Sequence, residues 1–324
     1  MSSPGLLKKL NECDYPEEFL VARLHGKKGG LFRNWEFLIS SSNPVEQLQD
    51  SVFYPYLKKY AAPGIWRFLY NEHFWIYKRM NRKLRKVFGP YFIYHESNTL
   101  IQNIRNIYNN KEAEIITRQL DNSLLGDDLQ EILAGNLLFP DMLNRLESCL
   151  ASKADCFQGL NAHYEIGGIL ALEMFLREKI FSLILQQRQS SLLRVFFQYL
   201  IDFHNCIALA KNIRWEIADD DNYINGGNVE PDKFKRIYFR KDLFAVLKLF
   251  PIQAPAASVS SVAELEKMLL SLITKVLRRC SRQRTIVSEI LDYLWEQYRY
   301  ARNISMVLNT MQLEDDTVRE SLIA

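Results

Sequence analysis

Apolar residues recur at spacings of three and four along most of this chain, and that spacing leaves little room for anything but helices. It predicts helices over residues 55–59, 65–87, 94–109, 124–133, 140–151, 165–187, 192–217, 262–279 and 286–311. Glycine (13) and proline (10) are scarce for 324 residues, which argues against a loop-rich β fold. The expected fold class is all-α. With 48% hydrophobic and 24% charged residues, a disordered or collagen-like chain is excluded. Gly89-Pro90 is expected to close the helix before it, because proline disfavours helical angles in its predecessor. Ser260-Ser261 offers caps for a helix starting at Val262. Residues 251–261 read as a surface connection. Asn225-Gly226-Gly227, after the acidic run Asp219 to Asp221, reads as a turn that could carry a hairpin of Tyr223-Ile224 against Val229.

A faint internal repeat runs through this helical pattern. The segments around Asn103, Asn205 and Asn303 share a register, with separations of 102 and 98 residues. Apolar residues stand two before each asparagine (Ile101, Phe203, Ala301), one after (Ile104, Cys206, Ile304) and four after (Ile107, Leu209, Val307). Those offsets form one stripe of a helix, and each asparagine projects about 40° from its +4 neighbour, at the stripe's edge. There it could bond the backbone of a neighbouring element. Any three amphipathic helices can be slid into apolar register, so the repeat needs support from elsewhere.

Charge is distributed unevenly. The net charge is only +3, yet residues 51–93 hold nine Lys or Arg against one acid, Glu72, and residues 112–155 hold nine acids against three bases. Lys78, Arg79, Arg82, Lys83, Arg85 and Lys86 crowd into nine positions, while Ile76, Met80, Leu84 and Phe88 repeat every four and should face inward. Arg278, Arg279, Arg282 and Arg284 form a second basic group. Thirteen aromatics share the 51–93 segment. Cations among aromatics fit single-stranded nucleic acid, an acidic protein or anionic lipid headgroups, and equally a solvated helix over an aromatic core. The charge is balanced elsewhere and no recognised nucleic-acid module appears, so nucleic acid remains the alternative reading.

No catalytic constellation emerges. Gly26-Lys27-Lys28-Gly29-Gly30 lacks the spacing and the Ser or Thr of a phosphate loop and reads as a helix end or surface turn. The five histidines are isolated from one another. Cys149, Cys156 and His163 are spaced by seven, too far apart for one tetrahedral metal. No metal, cofactor or small-molecule substrate is expected. Five scattered cysteines without a Cys-x-x-Cys fit a reducing, cytosolic compartment. No apolar run approaches the ~20 residues of a spanning helix, and the first ten residues lack a signal-peptide core.

The segment Phe19-Leu20-Val21-Ala22-Arg23-Leu24-His25-Gly26-Lys27-Lys28 resembles the opening of the C/d subunit of V-type and A-type rotary ATPases: an aromatic, two variable residues, Ala-Arg, then more basic residues. The repeated asparagine helices resemble that family's helices too, with Asn103-Ile104, Asn205-Cys206 and Asn303-Ile304, followed by Lys111 and Lys211 in the first two. The pattern departs at His25, where a second arginine is common, at Cys206, and at Asn109 and Asn309, where a base is expected. The resemblance implies one domain of three helical repeats, about 15–118, 119–222 and 223–318, arranged as a funnel of three pseudo-threefold-related lobes. It further implies a non-catalytic socket that joins the central shaft subunits (D/F type) to the membrane proteolipid ring, peripheral on the cytoplasmic face, in proton or sodium transport. Arg23, Lys27, Lys28, the Lys78–Lys86 group and Arg278, Arg279 and Arg282 are then candidates for contact with ring or shaft, with anionic lipid headgroups as a further candidate partner.

Overall fold

The computed structural model describes residues 5–11, 13, 15–32, 34–41, 43–187, 189–217, 223–241, 245–246, 248–250, 261–309 and 322–323. Among these are fourteen α-helices and two short 3-10 helices, with no strand; the sole β-bridge pairs Leu7 with Leu125. The chain is all-α. In order the helices are α1 (Glu17–Lys28), α2 (Trp35–Ile39), α3 (Pro44–Gln47), α4 (Tyr54–Tyr60), α5 (Gly64–Arg79), α6 (Arg82–Tyr108), α7 (Ala113–Leu120), α8 (Asp127–Ala134), α9 (Phe139–Lys153), α10 (Leu160–Gln186), α11 (Ser191–Trp215), α12 (Pro231–Arg240), α13 (Val262–Cys280) and α14 (Ile286–Asn309). The acidic run 219–221, the connection 251–260 and residues 310–321 lie outside the described residues.

The residues gather into two compact units. One comprises Met1–Asp14 and His73–Arg194, the other Tyr15–Glu72 and Val195–Ala324. In the first, α6 and α10 pack along each other. Phe88, Tyr91, Phe92, Ile104, Leu172 and Leu176 are fully buried there. Residues 6–8 lie along the entry to α8, with Lys8 N–H donating to Leu124 O (2.8 Å) and Gly126 N–H to Leu6 O (2.8 Å). In the second unit one core joins α2–α5 to α14 through Leu38, Phe53, Ile65, Ala301 and Ile304. A second core joins α11, the 223–250 region and α13 through Cys206, Leu209, Phe234, Leu265 and Leu269.

The structure departs from the sequence expectation in the basic region. The helix breaks at Met80-Asn81, not at Gly89-Pro90. Asn81 caps α6 by accepting from Leu84 N–H (2.9 Å). Arg85 donates to Tyr77 O and Lys78 O (3.1 and 3.0 Å), so the last carbonyls of α5 find partners and that helix stops. Pro90 sits inside α6. Its local cost of ~3 kcal/mol is outweighed by complete burial of Phe88, Tyr91 and Phe92 around it. Ile76, Met80, Leu84 and Phe88 are all buried across the break, as their spacing predicts.

Other differences follow from local chemistry. The hairpin at 223–229 does not form, because side chains of α11 take up that backbone. Residues 124–126 run extended before α8 starts at Asp127. Helix α10 bends at Gly167-Gly168, where Gly168 has φ 64° and ψ −155°, angles essentially restricted to glycine. Beside the bend Ile166 (86% exposed) and Leu170 (60%) face solvent. Helix α11 is long and apolar enough to cross a membrane, with mean hydropathy 1.2 over 18 residues, although half of that stretch is buried.

His73 and His95 are buried against each other (ring centroids 4.6 Å apart) and against Tyr91. Burial lowers the His73 pKa to about 3; burial and then the nearby His73 lower that of His95. Both pKa values are lower folded than unfolded, so acid protonates the unfolded chain first and stability falls as pH drops below ~6.5. Urea unfolding at pH 5 against pH 7 should show a loss of about 2 kcal/mol for His73 alone, and His73→Phe should shrink that loss. An unchanged pH dependence in the variant would count against this role.

Candidate functional site

Asn205 and Asn303 make the same interaction. Asn205 Nδ2 donates to Ile224 O (2.8 Å), and Ile224 N–H donates to Asn205 Oδ1 (2.8 Å). Asn303 Nδ2 donates to Ile323 O (3.0 Å), and Ile323 N–H donates to Asn303 Oδ1 (3.1 Å). Each carboxamide thus stands in for a backbone peptide and pairs with both polar groups of one isoleucine, 19 and 20 residues downstream. Both asparagines and both isoleucines are buried, so the paired groups have no access to water as a substitute.

Asn103 is equally buried but differs. It donates to Thr99 O (2.8 Å) on its own helix. Leu124, 21 residues downstream, is held by other groups. Its N–H donates to Glu96 Oε1 (2.8 Å), and its carbonyl accepts from Lys8 N–H (2.8 Å). Burial raises the Glu96 pKa, against the bonds from Ser123 and Leu124. Sequence reading located all three asparagines. The signal it missed is an aliphatic residue at 19–21 beyond each.

Helix α11 adds a second hold. Asp202, three residues before Asn205, accepts from Asn228 N–H (3.0 Å), Asn228 Nδ2 (2.9 Å) and Val229 N–H (3.1 Å). Burial raises its pKa despite these bonds. A Cβ at Gly227 would collide with Asp202 Oδ1, so only glycine fits between the two holds.

The basic residues fall into two sorts. Lys27 and Lys28 of α1 face the chain's own carboxylates. Lys27 Nζ bonds both oxygens of buried Glu72 (2.8 and 2.7 Å), which also accepts from Tyr293 OH (2.9 Å). Burial and the adjacent Glu72 charge push the Tyr293 phenol pKa up, so it stays a donor. Lys28 Nζ lies 2.6 Å from Asp292 and 3.2 Å from Glu296, and His25 is 2.8 Å from Glu289. Burial works against the Lys28 charge, but Asp292 and Glu296 outweigh it and raise its pKa. Glu289, Asp292 and Glu296 are spaced three and four apart on α14, one stripe facing α1. Arg299 continues that stripe; burial first, then the charge of Arg278, lowers its pKa. Arg23 is exposed and donates to Tyr15 OH (3.1 Å).

The other sort points outward. Arg85 is a structural exception, donating also to Leu10 O (2.6 Å) and Asn11 O (2.7 Å). Around it Lys78, Arg82, Lys83 and Lys86 are exposed, and Arg79 lies over the Trp75 ring (4.4 Å). These five surround the elbow between α5 and α6. No acid stands in the first turn of α6. Arg278 and Arg279 end α13, and Arg282 follows; all three are exposed. Many aromatics of 51–93 turn inward, with Phe53, Phe68, Tyr77, Phe88, Tyr91 and Phe92 buried.

Among the described residues no three His, Cys, Asp or Glu gather where a metal could bind. Cys149 faces Asp128 (3.5 Å), and burial pushes its thiol up to about 11, while His163 stacks on Phe175 (4.2 Å). A groove of about 180 Å³ beside the end of α6 is lined by Ile107, Asn110, Lys111, Leu137 and Met142, with no acid–base pair in it. No protein-family model matches the chain, and neither does any curated protein.

Asn205→Ala strands the buried N–H and C=O of Ile224 and should cost about 2–3 kcal/mol, whereas Asn103→Ala, which removes one bond within a helix, should cost about 1 kcal/mol. Urea denaturation of both variants measures the difference; equal losses would contradict the clamp.

Proposed function

We propose that this chain is the non-catalytic central-stalk socket of a V/A-type rotary ATPase. In this reading it passes torque between the central shaft and the membrane proteolipid ring during proton or sodium transport. It sits as a peripheral subunit on the cytoplasmic face of the membrane, with three related helical lobes forming a funnel around the shaft. The observation that carries the reading is the pair of matching clamps, Asn205 on Ile224 and Asn303 on Ile323. Copies of one ancestral helical unit would retain such a pair, and the repeat, with the Phe19–Lys28 segment, is what the resemblance to the C/d subunits rests on. The all-α architecture is compatible with a stiff coupler.

The outward cations at the α5–α6 elbow supply the contact surface in this reading, and Arg85 braces the elbow by bonding Tyr77 O and Lys78 O. Inward-turned aromatics lend less support to single-stranded nucleic acid, which needs exposed rings to stack on.

Tagged chain recovered from detergent-solubilised native membranes should bring shaft and proteolipid subunits with it. The variant Lys78→Glu/Arg82→Glu/Lys86→Glu should keep its circular dichroism and lose a partner, and wild-type association should weaken with salt as exposed charges are screened within ~8 Å. Recovery of neither subunit would overturn the proposal. Oligonucleotide binding abolished by the same variant would move the assignment to nucleic acid.

A further inference from the structure

Where α6 and α10 run along each other, two guanidinium groups share a single carboxylate. Arg105 Nε donates to Glu173 Oε1 (2.8 Å), and Arg105 Nη2 donates to Glu173 Oε2. Glu173 is buried, and this fork occupies both of its oxygens. Arg177, one turn further along α10, is part-buried, and among the described residues it has no hydrogen-bond or ion-pair acceptor. Its neighbour Glu178 pairs with Lys179 Nζ (3.1 Å) instead. Burial lowers the Arg177 pKa; Tyr94 and Glu173 oppose that, and the charge of Arg105 adds to it. A guanidinium set this deep ordinarily faces an acceptor, because its N–H donors have given up water.

Other donors stand beside it. Arg105 spends Nε and Nη2 on Glu173, which leaves Nη1 open on a side chain that is 49% exposed. The two helices run antiparallel here, with Arg105 meeting Glu173 at one end and the Tyr94 ring meeting that of Phe181 (5.6 Å) at the other. Counting inward from those contacts sets Arg177 opposite residues 98–101 of α6. Asn98 is part-buried there, and its carboxamide makes no hydrogen bond among the described residues.

We propose that Arg177, the open edge of Arg105 and the Asn98 carboxamide bind one phosphate group on the α6–α10 face. Glu173 neutralises one guanidinium and leaves the other for the ligand. One fork would satisfy both oxygens of a carboxylate, whereas donors from several side chains suit the tetrahedral oxygens of phosphate. Free phosphate and the headgroup of a phosphomonoester lipid both present this chemistry. The site uses none of the elbow cations and no partner of the rotary-ATPase reading, so it stands or falls separately.

Nuclear magnetic resonance of the arginine side chains in the intact chain tests it. Sodium phosphate, exchanged for chloride at constant pH and ionic strength, should move the Nε–Hε signals of Arg177 and Arg105 along one saturable curve. Arg177→Lys keeps the charge and loses the fork, and should weaken that binding about tenfold as read at Arg105. A linear drift shared with exposed Arg145, or an unchanged curve in the folded variant, would overturn the proposal. The wild-type titration decides the matter even where the variant fails to fold. Sedimentation with phosphatidic acid vesicles, against phosphatidylcholine vesicles, identifies the source. Vesicle binding that phosphate competes away and Arg177→Lys weakens assigns the site to a headgroup. A saturable phosphate curve without vesicle binding assigns it to free phosphate. Vesicle binding that the variant leaves intact, with no saturable phosphate curve, would overturn the proposal.

Discussion

Two buried asparagine side chains hold irregular backbone where, among the described residues, no sheet is present to do so. Helices satisfy their own peptide groups, but Ile224 and Ile323 lie outside helices, and among the described residues no strand stands beside them. Left alone, each would bury an N–H and a C=O with no partner, at ~1–3 kcal/mol per group. One carboxamide supplies the missing donor and acceptor together. Its planar geometry also fixes the angle at which the segment meets the helix, so α11 and α14 carry non-helical chain in a defined place. In the other unit the same problem at Leu124 is solved by a carboxylate and a backbone amide from residue 8.

Charge is organised by the same economy of partners. The carboxylate stripe of α14 receives His25 and Lys28, and buried Glu72 receives Lys27 and Tyr293. Removing a member of a buried set leaves its partner's charge or dipole uncompensated, so these contacts fix how α1 lies on α14 more than they add net stability. At the α5–α6 elbow Lys78, Arg82, Lys83 and Lys86 are exposed, where individual pairs contribute little and a collective field attracts anions.

Much of this was legible in the sequence because helical periodicity reports burial directly. Ile76, Met80, Leu84 and Phe88 are buried as their spacing requires, even though the helix breaks between them. The break itself was not legible. It depends on Arg85 reaching back to carbonyls seven and eight residues earlier, and on burial that lets Pro90 remain in a helix. Asn103, Asn205 and Asn303 stood out by register, but their partners lie past the helix ends, where periodicity carries no information. Short helices such as α2 and α3 have too few residues to show a period. Lys27 and Lys28 read as a helix end or surface turn and as candidate contact residues, because a charge count ignores carboxylates 45 and 264 residues away. The spacing of His25 and Lys28 against Glu289, Asp292 and Glu296 was the available clue to that pairing.

The central claim is that Asn205 and Asn303 perform one repeated task, and nuclear magnetic resonance can observe it directly. Scalar couplings across hydrogen bonds should link Asn205 Nδ2 to the Ile224 carbonyl carbon and Asn303 Nδ2 to that of Ile323, with no such link from Asn103 to Leu124. Finding both couplings would establish the shared clamp. Absence of either, with the side-chain amide resonances assigned and the protein folded, would contradict it.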